Sequence, residues 1–126
     1  MTGNASLVSV VDDDESVRES LPDLLRQFGF DAAAFASAEA FLASDAVSET
    51  SCLLLDITMA GMSGPDLQQE LKRLRQTIPI VFITANGEEA VRPSMLARGA
   101  VDCLIKPFSE AALLDAVRAA LRPPFP

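Results

Sequence analysis

Leu7-Val8-Ser9-Val10-Val11 runs directly into Asp12-Asp13-Asp14-Glu15, and beyond these lie Val17, Leu21, Leu24, Leu25 and Phe28. The first five residues have strand length and strand composition, and a nearly continuous apolar run marks a strand covered on both faces. The later apolar residues recur at spacings that fill one face of a helix. A buried strand, an acidic turn and an amphipathic helix make one βα unit. Gly29 is the expected stop of this helix. Pro22 falls inside its pattern and predicts either a kink or a helix restarting after Ser20.

The same unit recurs along the chain. Cys52-Leu53-Leu54-Leu55, Ile80-Val81-Phe82-Ile83 and Val101-Asp102-Cys103-Leu104-Ile105 are further buried strands, and Ala32-Ala33-Ala34-Phe35, poor in β-formers, is an edge strand. Ser37 is placed to cap a short helix through Phe41 and Leu42. Gly64-Pro65 opens another, with Leu67, Leu71 and Leu74 on its apolar face. Ser109 caps a last helix whose Leu113, Leu114, Val117, Ala120 and Leu121 face the core. Five βα units in sequence, joined by right-handed crossovers, give an α/β fold, a doubly wound five-stranded parallel sheet with helices on both faces.

At 126 residues, 49% hydrophobic and 22% charged, the chain is read as one domain over 1–126, with its core in 6–121 and a Pro-rich tail at 122–126. No apolar run reaches the length of a membrane span, and the first residues lack a secretory pattern, so a cytoplasmic location is expected. Ten basic against 18 acidic residues, net −8, exclude a general grip on nucleic acid and suit a divalent cation or a basic partner. Cys52 and Cys103 cannot form a disulfide framework and lack metal-binding spacing. Histidine is absent, which removes Ser-His and Cys-His nucleophiles and His-ligated zinc.

In a doubly wound sheet the chemistry lies beyond the carboxyl ends of the strands. Asp12-Asp13-Asp14-Glu15 follow the first strand, Asp56 the third, Thr84 closes the fourth, and Lys106-Pro107 follow the fifth. Taken singly these are ordinary: a solvated acidic turn, a helix N-cap, a strand terminus, a turn. Together they converge on one rim. Converging carboxylates repel and raise each other's pKa unless a cation sits among them. Mg²⁺, a hard ion content with one or two carboxylates and several waters, answers that need. The Lys106 ammonium and Thr84 hydroxyl suit a phosphoryl group beside it.

With these residues in place, the sequence resembles a response-regulator receiver domain, the phosphoacceptor domain of two-component signal transduction. The resemblance covers roughly residues 6–121. It rests on Val10-Val11-Asp12-Asp13, Leu55-Asp56, Met62-Ser63-Gly64, Ile83-Thr84-Ala85 and Lys106-Pro107-Phe108, five short motifs in order, each at a strand end or in the loop beyond one. It implies the flavodoxin-like strand order 2-1-3-4-5. It implies that Asp56 accepts a phosphoryl group from a phosphohistidine of a sensor histidine kinase or phosphotransfer protein. Asp13 and Asp56 would bind Mg²⁺ (or Mn²⁺), with Asp12 in support and the Thr58 backbone carbonyl as a further ligand. Lys106 and Thr84 would meet the phosphoryl group, and the Lys106–Pro107 peptide would be cis. Such a chain is not an enzyme in the ordinary sense, although it catalyses its own phosphorylation and dephosphorylation. Its output would go to a downstream protein or a detached output domain, and the face of the fourth helix, fifth strand and fifth helix is also open to a homodimer, the oligomeric state being left undecided by the sequence. With the third and fifth strands flanking the fourth, Cys52 and Cys103 lie too far apart for a disulfide.

Three departures from the family pattern bear on this. Met59 is followed by Ala60 where Pro is usual. Pro93 falls within the expected fourth helix, so that helix should begin near Arg92-Pro93 and leave 86–91 as an exposed loop. Cys103 occupies the switch position, where an aromatic ring usually swings as Thr84 moves. Two other classes stay open at this point. Asp12-Asp13-Asp14-Glu15-Ser16 also reads as the Asp-x-Asp-x-Ser of haloacid-dehalogenase-like phosphatases, but Asp56 then has no role. After Lys106 only Glu110 and Asp115, both expected on the last helix, could supply that family's acidic pair. A receiver-like interaction module without phosphorylation is the other.

Overall fold

The computed structural model describes residues 6–85 and 87–122. Strands β1 (Leu7–Val11), β2 (Asp31–Phe35), β3 (Thr50–Asp56), β4 (Ile80–Thr84) and β5 (Asp102–Ile105) alternate with helices α1 (Glu15–Gln27), α2 (Ala38–Leu42), α3 (Gly64–Arg73), α4 (Arg92–Ala97) and α5 (Glu110–Leu121). All strand pairings are parallel and the order is β2-β1-β3-β4-β5. The fold is therefore the expected one, with β2 at an edge.

Alternation along each strand sorts the core into two layers. Val8, Val10, Cys52, Leu54, Val81 and Ile83 face one way, against Leu21 and Leu25 of α1 and Leu113, Ala116 and Val117 of α5. Val11, Leu53, Leu55, Phe82 and Cys103 face the other way, against Phe41 of α2, Leu67 and Leu71 of α3 and Met95 of α4. Successive strand residues point to opposite faces, so one continuous apolar run feeds both layers. Ser9, polar and wholly buried, is satisfied by the Thr50 hydroxyl at 2.7 Å.

The helix boundaries follow side-chain chemistry. Asp14 caps α1 by accepting from the Ser16 amide, and Ser37, Ser63 and Ser109 cap α2, α3 and α5. Ser63 and Asp66 form a reciprocal capping box. At Pro22 no restart follows Ser20, for α1 runs unbroken from Glu15 to Gln27 with Pro22 buried inside it. Burial of the ring offsets the lost amide hydrogen bond. α4 begins at Arg92 with Pro93 in its first turn, as Pro93 predicts. The loop expected to be exposed before it is exposed at residues 87–90 but partly ordered, Glu89–Val91 forming a short 3-10 turn, while Asn86 and tail residues 123–126 lie outside the described residues.

Both cysteines are free, and β4 lies between their strands. Burial raises both thiols, Cys52 to about 12. Neither thiol should therefore react with a water-soluble disulfide reagent in the native protein, whereas both should react at once in denaturant. Fast native labelling at either position would mean that its strand opens.

Candidate phosphoryl and metal site

Parallel register builds the site. Val11 lies opposite Leu55, so the next residues, Asp12 and Asp56, leave the ends of β1 and β3 side by side. Asp56 lies opposite Ile83, which places Thr84 one step further along β4. Thr84 in turn lies opposite Ile105, so Lys106 leaves β5 at the same rim, its amide donating to the Thr84 carbonyl at 2.8 Å. Asp12, Asp56 and Thr84 are buried, while Asp13 is exposed.

Carboxylate oxygens of Asp12, Asp13 and Asp56 all lie within 4.8 Å of one another. Lys106 Nζ donates to Asp12 Oδ2 at 3.1 Å, an ion pair whose acid is wholly buried. The other Asp12 oxygen accepts from the Asp14 amide at 2.9 Å, and Arg18 donates to the Asp12 carbonyl at 3.1 Å. Asp13 accepts a long bond, 3.4 Å, from the Ala60 amide, which draws the loop after β3 towards it. Burial, and then the Asp12 carboxylate beside it, push the Asp56 carboxyl up to about 7, with Lys106 and the Thr58 backbone amide pulling the other way. The rim thus carries more negative charge than its one ammonium balances. A hard divalent cation with oxygen ligands fits that donor set.

Sequence reasoning placed Asp12, Asp13, Asp56, Thr84 and Lys106 together, and the fold brings them to one rim. Thr58 is exposed, two residues beyond Asp56, and the Lys106–Pro107 peptide is cis. Cys103 stands apart, buried in the layer under α4. Asp14 is committed to capping α1, its Oδ1 accepting from both the amide and the hydroxyl of Ser16. That leaves it poorly placed for the phosphatase reading.

Two features were missed. Gly64 opens α3 so close to Asp56 that a Cβ there would stand 2.4 Å from the Asp56 carbonyl oxygen. Beside the rim, Val17, Leu21, Leu24, Pro107 and Phe108 line a shallow groove of about 340 Å³ that Lys106 also borders. The glycine of Met62-Ser63-Gly64 was a visible signal for the first. Nothing in the spacing of α1 indicated that its apolar face spills over to Phe108.

A family model described as "Response regulator receiver domain" matches residues 8–118, and the chain belongs to that family. It is a receiver domain of the two-component response regulators, a signalling domain of a class that holds Mg²⁺ at such an acidic site. Over 122 residues the chain is 43% identical to the response regulator protein TodT of Pseudomonas putida, covering 97% of this chain and 54% of TodT. Over 115 residues it is 48% identical to nodulation protein W of Bradyrhizobium diazoefficiens, covering 91% of this chain and 51% of that protein. The chain spans about half the length of the curated relatives it matches. The crystal structure of FixJ-N superposes with a TM-score of 0.83 at 35% identity, covering 94% of each chain. No described helix is long and apolar enough to cross a membrane.

Proposed function

We propose that Asp56 is the phosphoacceptor of this chain, taking the phosphoryl group from a phosphohistidine of a sensor histidine kinase or phosphotransfer protein. The observation that carries the reading is the convergence of three carboxylates and one ammonium at the carboxyl ends of β1, β3 and β5. Asp12, Asp13, Asp56 and the Thr58 carbonyl would hold Mg²⁺ or Mn²⁺, which when bound supplies positive charge to the Asp56 carboxylate and to the phosphoryl oxygens. An ionised Asp56 oxygen attacks phosphorus, the P–N bond breaks with its electron pair staying on nitrogen, and the donor ring, protonated on its other nitrogen, leaves as neutral imidazole. Lys106 turns from Asp12 to a phosphoryl oxygen, and the Thr84 hydroxyl donates to another. Hydrolysis of the resulting acyl phosphate by water resets Asp56, so the domain catalyses its own phosphorylation and dephosphorylation. The apolar groove from Val17 to Phe108 supports docking of the phosphodonor protein beside the rim.

Output, in this reading, leaves through the turn after Thr84 and the face formed by α4, β5 and α5, towards a downstream protein, an output domain or a second copy of the chain. Cys103 has no ring to swing, and it is 2% exposed. The change must therefore pass through Ala85, the 3-10 turn and α4. The chain acts as one domain in the cytoplasm and makes no direct contact with nucleic acid.

Incubation with acetyl phosphate and Mg²⁺ should give acid-labile, hydroxylamine-sensitive phosphate. With beryllofluoride, amide shifts should concentrate at residues 84–98. No incorporation would leave an interaction module. Large shifts centred on Cys103, with loss of its burial, would reassign the aromatic's role to the thiol.

Metal binding gives a separate test. Asp13→Ala removes an exposed ligand charge whose one hydrogen bond among the described residues is the long one from Ala60. Mg²⁺ affinity should fall at least about tenfold while metal-free stability holds or rises, since the remaining carboxylates repel less. Loss of metal-free stability would show instead that Asp13 holds the fold.

A further inference from the structure

The opposite rim carries a second cavity of about 330 Å³, formed where α3 ends, β4 begins and α4 ends. β4 separates it from the acidic site, a distance of about 16 Å for five strand residues. Leu71, Ile78 and Ile80 give it an apolar wall, and its polar lining includes Gln68, Lys72, Arg75 and Arg98. Among the described residues no acidic one lines it, in a chain whose net charge is −8. Among the described residues none of these three cations is in an ion pair.

Gln68 is the second observation. It is 5% exposed, and its Nε2 donates to the Arg98 carbonyl at 3.1 Å, a carbonyl that also accepts from Lys72 Nζ at 3.2 Å. Its Oε1 is buried, and among the described residues it has no partner. A buried amide oxygen left unpaired is costly, and a hydrogen-bond donor brought by a ligand would satisfy it.

Arg75 is the third. α1 and α4 both end on a glycine in the left-handed region, Gly29 at φ 95° and Gly99 at φ 97°. At the corresponding position after α3 stands Arg75, at φ 62°. Its amide donates to Lys72 and the following amide to Leu71, the same end motif that the two glycines make. A side chain in that conformation is strained where glycine is not, and here the residue that bears it, a cation, lines the cavity.

We propose that this cavity binds a small phosphate monoester that also carries a hydroxyl group. Cationic residues at three positions of the lining, all exposed and free to turn towards an anion, suit a tetrahedral dianion better than a planar carboxylate, and the hydroxyl donates to Gln68 Oε1. The volume is at the small end of ligand cavities, which limits the occupant to a compact metabolite. Its occupant would bridge α3 and α4 through residues that already share the Arg98 carbonyl.

The test is an amide-shift titration of the full chain, with EDTA present, using glycerol 3-phosphate, inorganic phosphate and succinate as probes. Saturable shifts are expected at residues 71–77 and 98–100, strongest for glycerol 3-phosphate and weakest for succinate. Arg75→Gly should weaken phosphate binding at least about tenfold, the loss of one charge-assisted hydrogen bond, while the melting temperature rises as the strain goes. Gln68→Met should erase the preference for glycerol 3-phosphate over inorganic phosphate and leave the latter bound. Wild-type affinity in Arg75→Gly, shifts confined to Asp12, Thr84 and Lys106, or the absence of saturation would each overturn the site. Succinate binding as tightly as phosphate would overturn the ligand class, and a preference that survives in Gln68→Met would overturn the role of the hydroxyl.

Discussion

Asp56→Asn should incorporate no acid-labile phosphate from acetyl phosphate, and in EDTA it should be more stable than the wild type above neutral pH. The first outcome follows from chemistry: an amide has no ionised oxygen to attack phosphorus, and no other carboxylate directly continues the central strand β3. The second follows from the raised Asp56 carboxyl, at about 7 when folded. Between the ordinary carboxylate range and pH 7 the folded state holds a proton that the unfolded state has lost. Wild-type stability therefore falls as pH rises through that window, and the full penalty is present above it. Asn carries no such penalty. The whole shift corresponds to about 4 kcal/mol, and screening at a rim open to water reduces the expected gain to about 1–2 kcal/mol. Saturating Mg²⁺ should shrink the difference by stabilising the wild type selectively. Chemical denaturation at two pH values, with and without metal, measures all of this. Persisting phosphate label at wild-type levels would remove Asp56 from the centre of the mechanism. A stability gap that did not grow with pH would deny the crowding of charge.

The largest loss of stability from a single methyl group is expected at Gly64. Alanine is ordinarily the better residue in a first helical turn, yet here its Cβ would stand 2.4 Å from the Asp56 carbonyl oxygen and 3.1 Å from the Ile57 Cα. Both are backbone atoms, so no rotamer change relieves the clash. The Gly64 amide also donates to the Ile57 carbonyl at 3.0 Å, fixing the start of α3 against the end of β3. Gly64→Ala must push these segments apart, at a cost of about 2–3 kcal/mol. Because the displaced atoms include the backbone of Asp56, the proposed acceptor, phosphorylation should slow by about tenfold or more. Gly29→Ala serves as the control. Its strain comes from φ 95° alone, in open space remote from the rim, so it should lose stability and keep the wild-type phosphorylation rate. Equal phosphorylation rates in the two variants would show that Gly64 matters to folding only.

Strand runs were the most legible part of this chain, because a strand covered on both faces must be apolar at nearly every position. Val10-Val11 and Leu53-Leu54-Leu55 indicate depth, strand number and the rim that carries chemistry. Once those strands are parallel, register brings Asp12, Asp56, Thr84 and Lys106 together with little freedom left. Competition between local terms was harder to read. Pro22 argues for a break on local grounds, yet the buried face of α1 holds the helix together across it. Asp14 looks like part of an acidic cluster until the helix start beside it claims its carboxylate. The proximity of Gly64 to Asp56 and the left-handed Arg75 are properties of how segments meet, and no periodicity encodes them.

α4 has six residues, one of them buried, and is joined to β5 by the Arg92 guanidinium, which reaches the Asp102 carboxylate at 2.8 Å and the Cys103 carbonyl at 3.3 Å. A helix of that length has no stability of its own, since nucleation costs more than its few propagated turns return. Its amides should exchange with solvent by local opening, at a free energy well below that of global unfolding, while those of β1 and β3 wait for the whole domain to open. Exchange of that kind would make residues 92–97 a small cooperative unit that opens without the rest of the domain. Under the proposed output route, a movement of Thr84 need not be transmitted mechanically across the sheet. It needs only to tip the docking equilibrium of one short helix, and a bias of about 1.4 kcal/mol changes its undocked population tenfold.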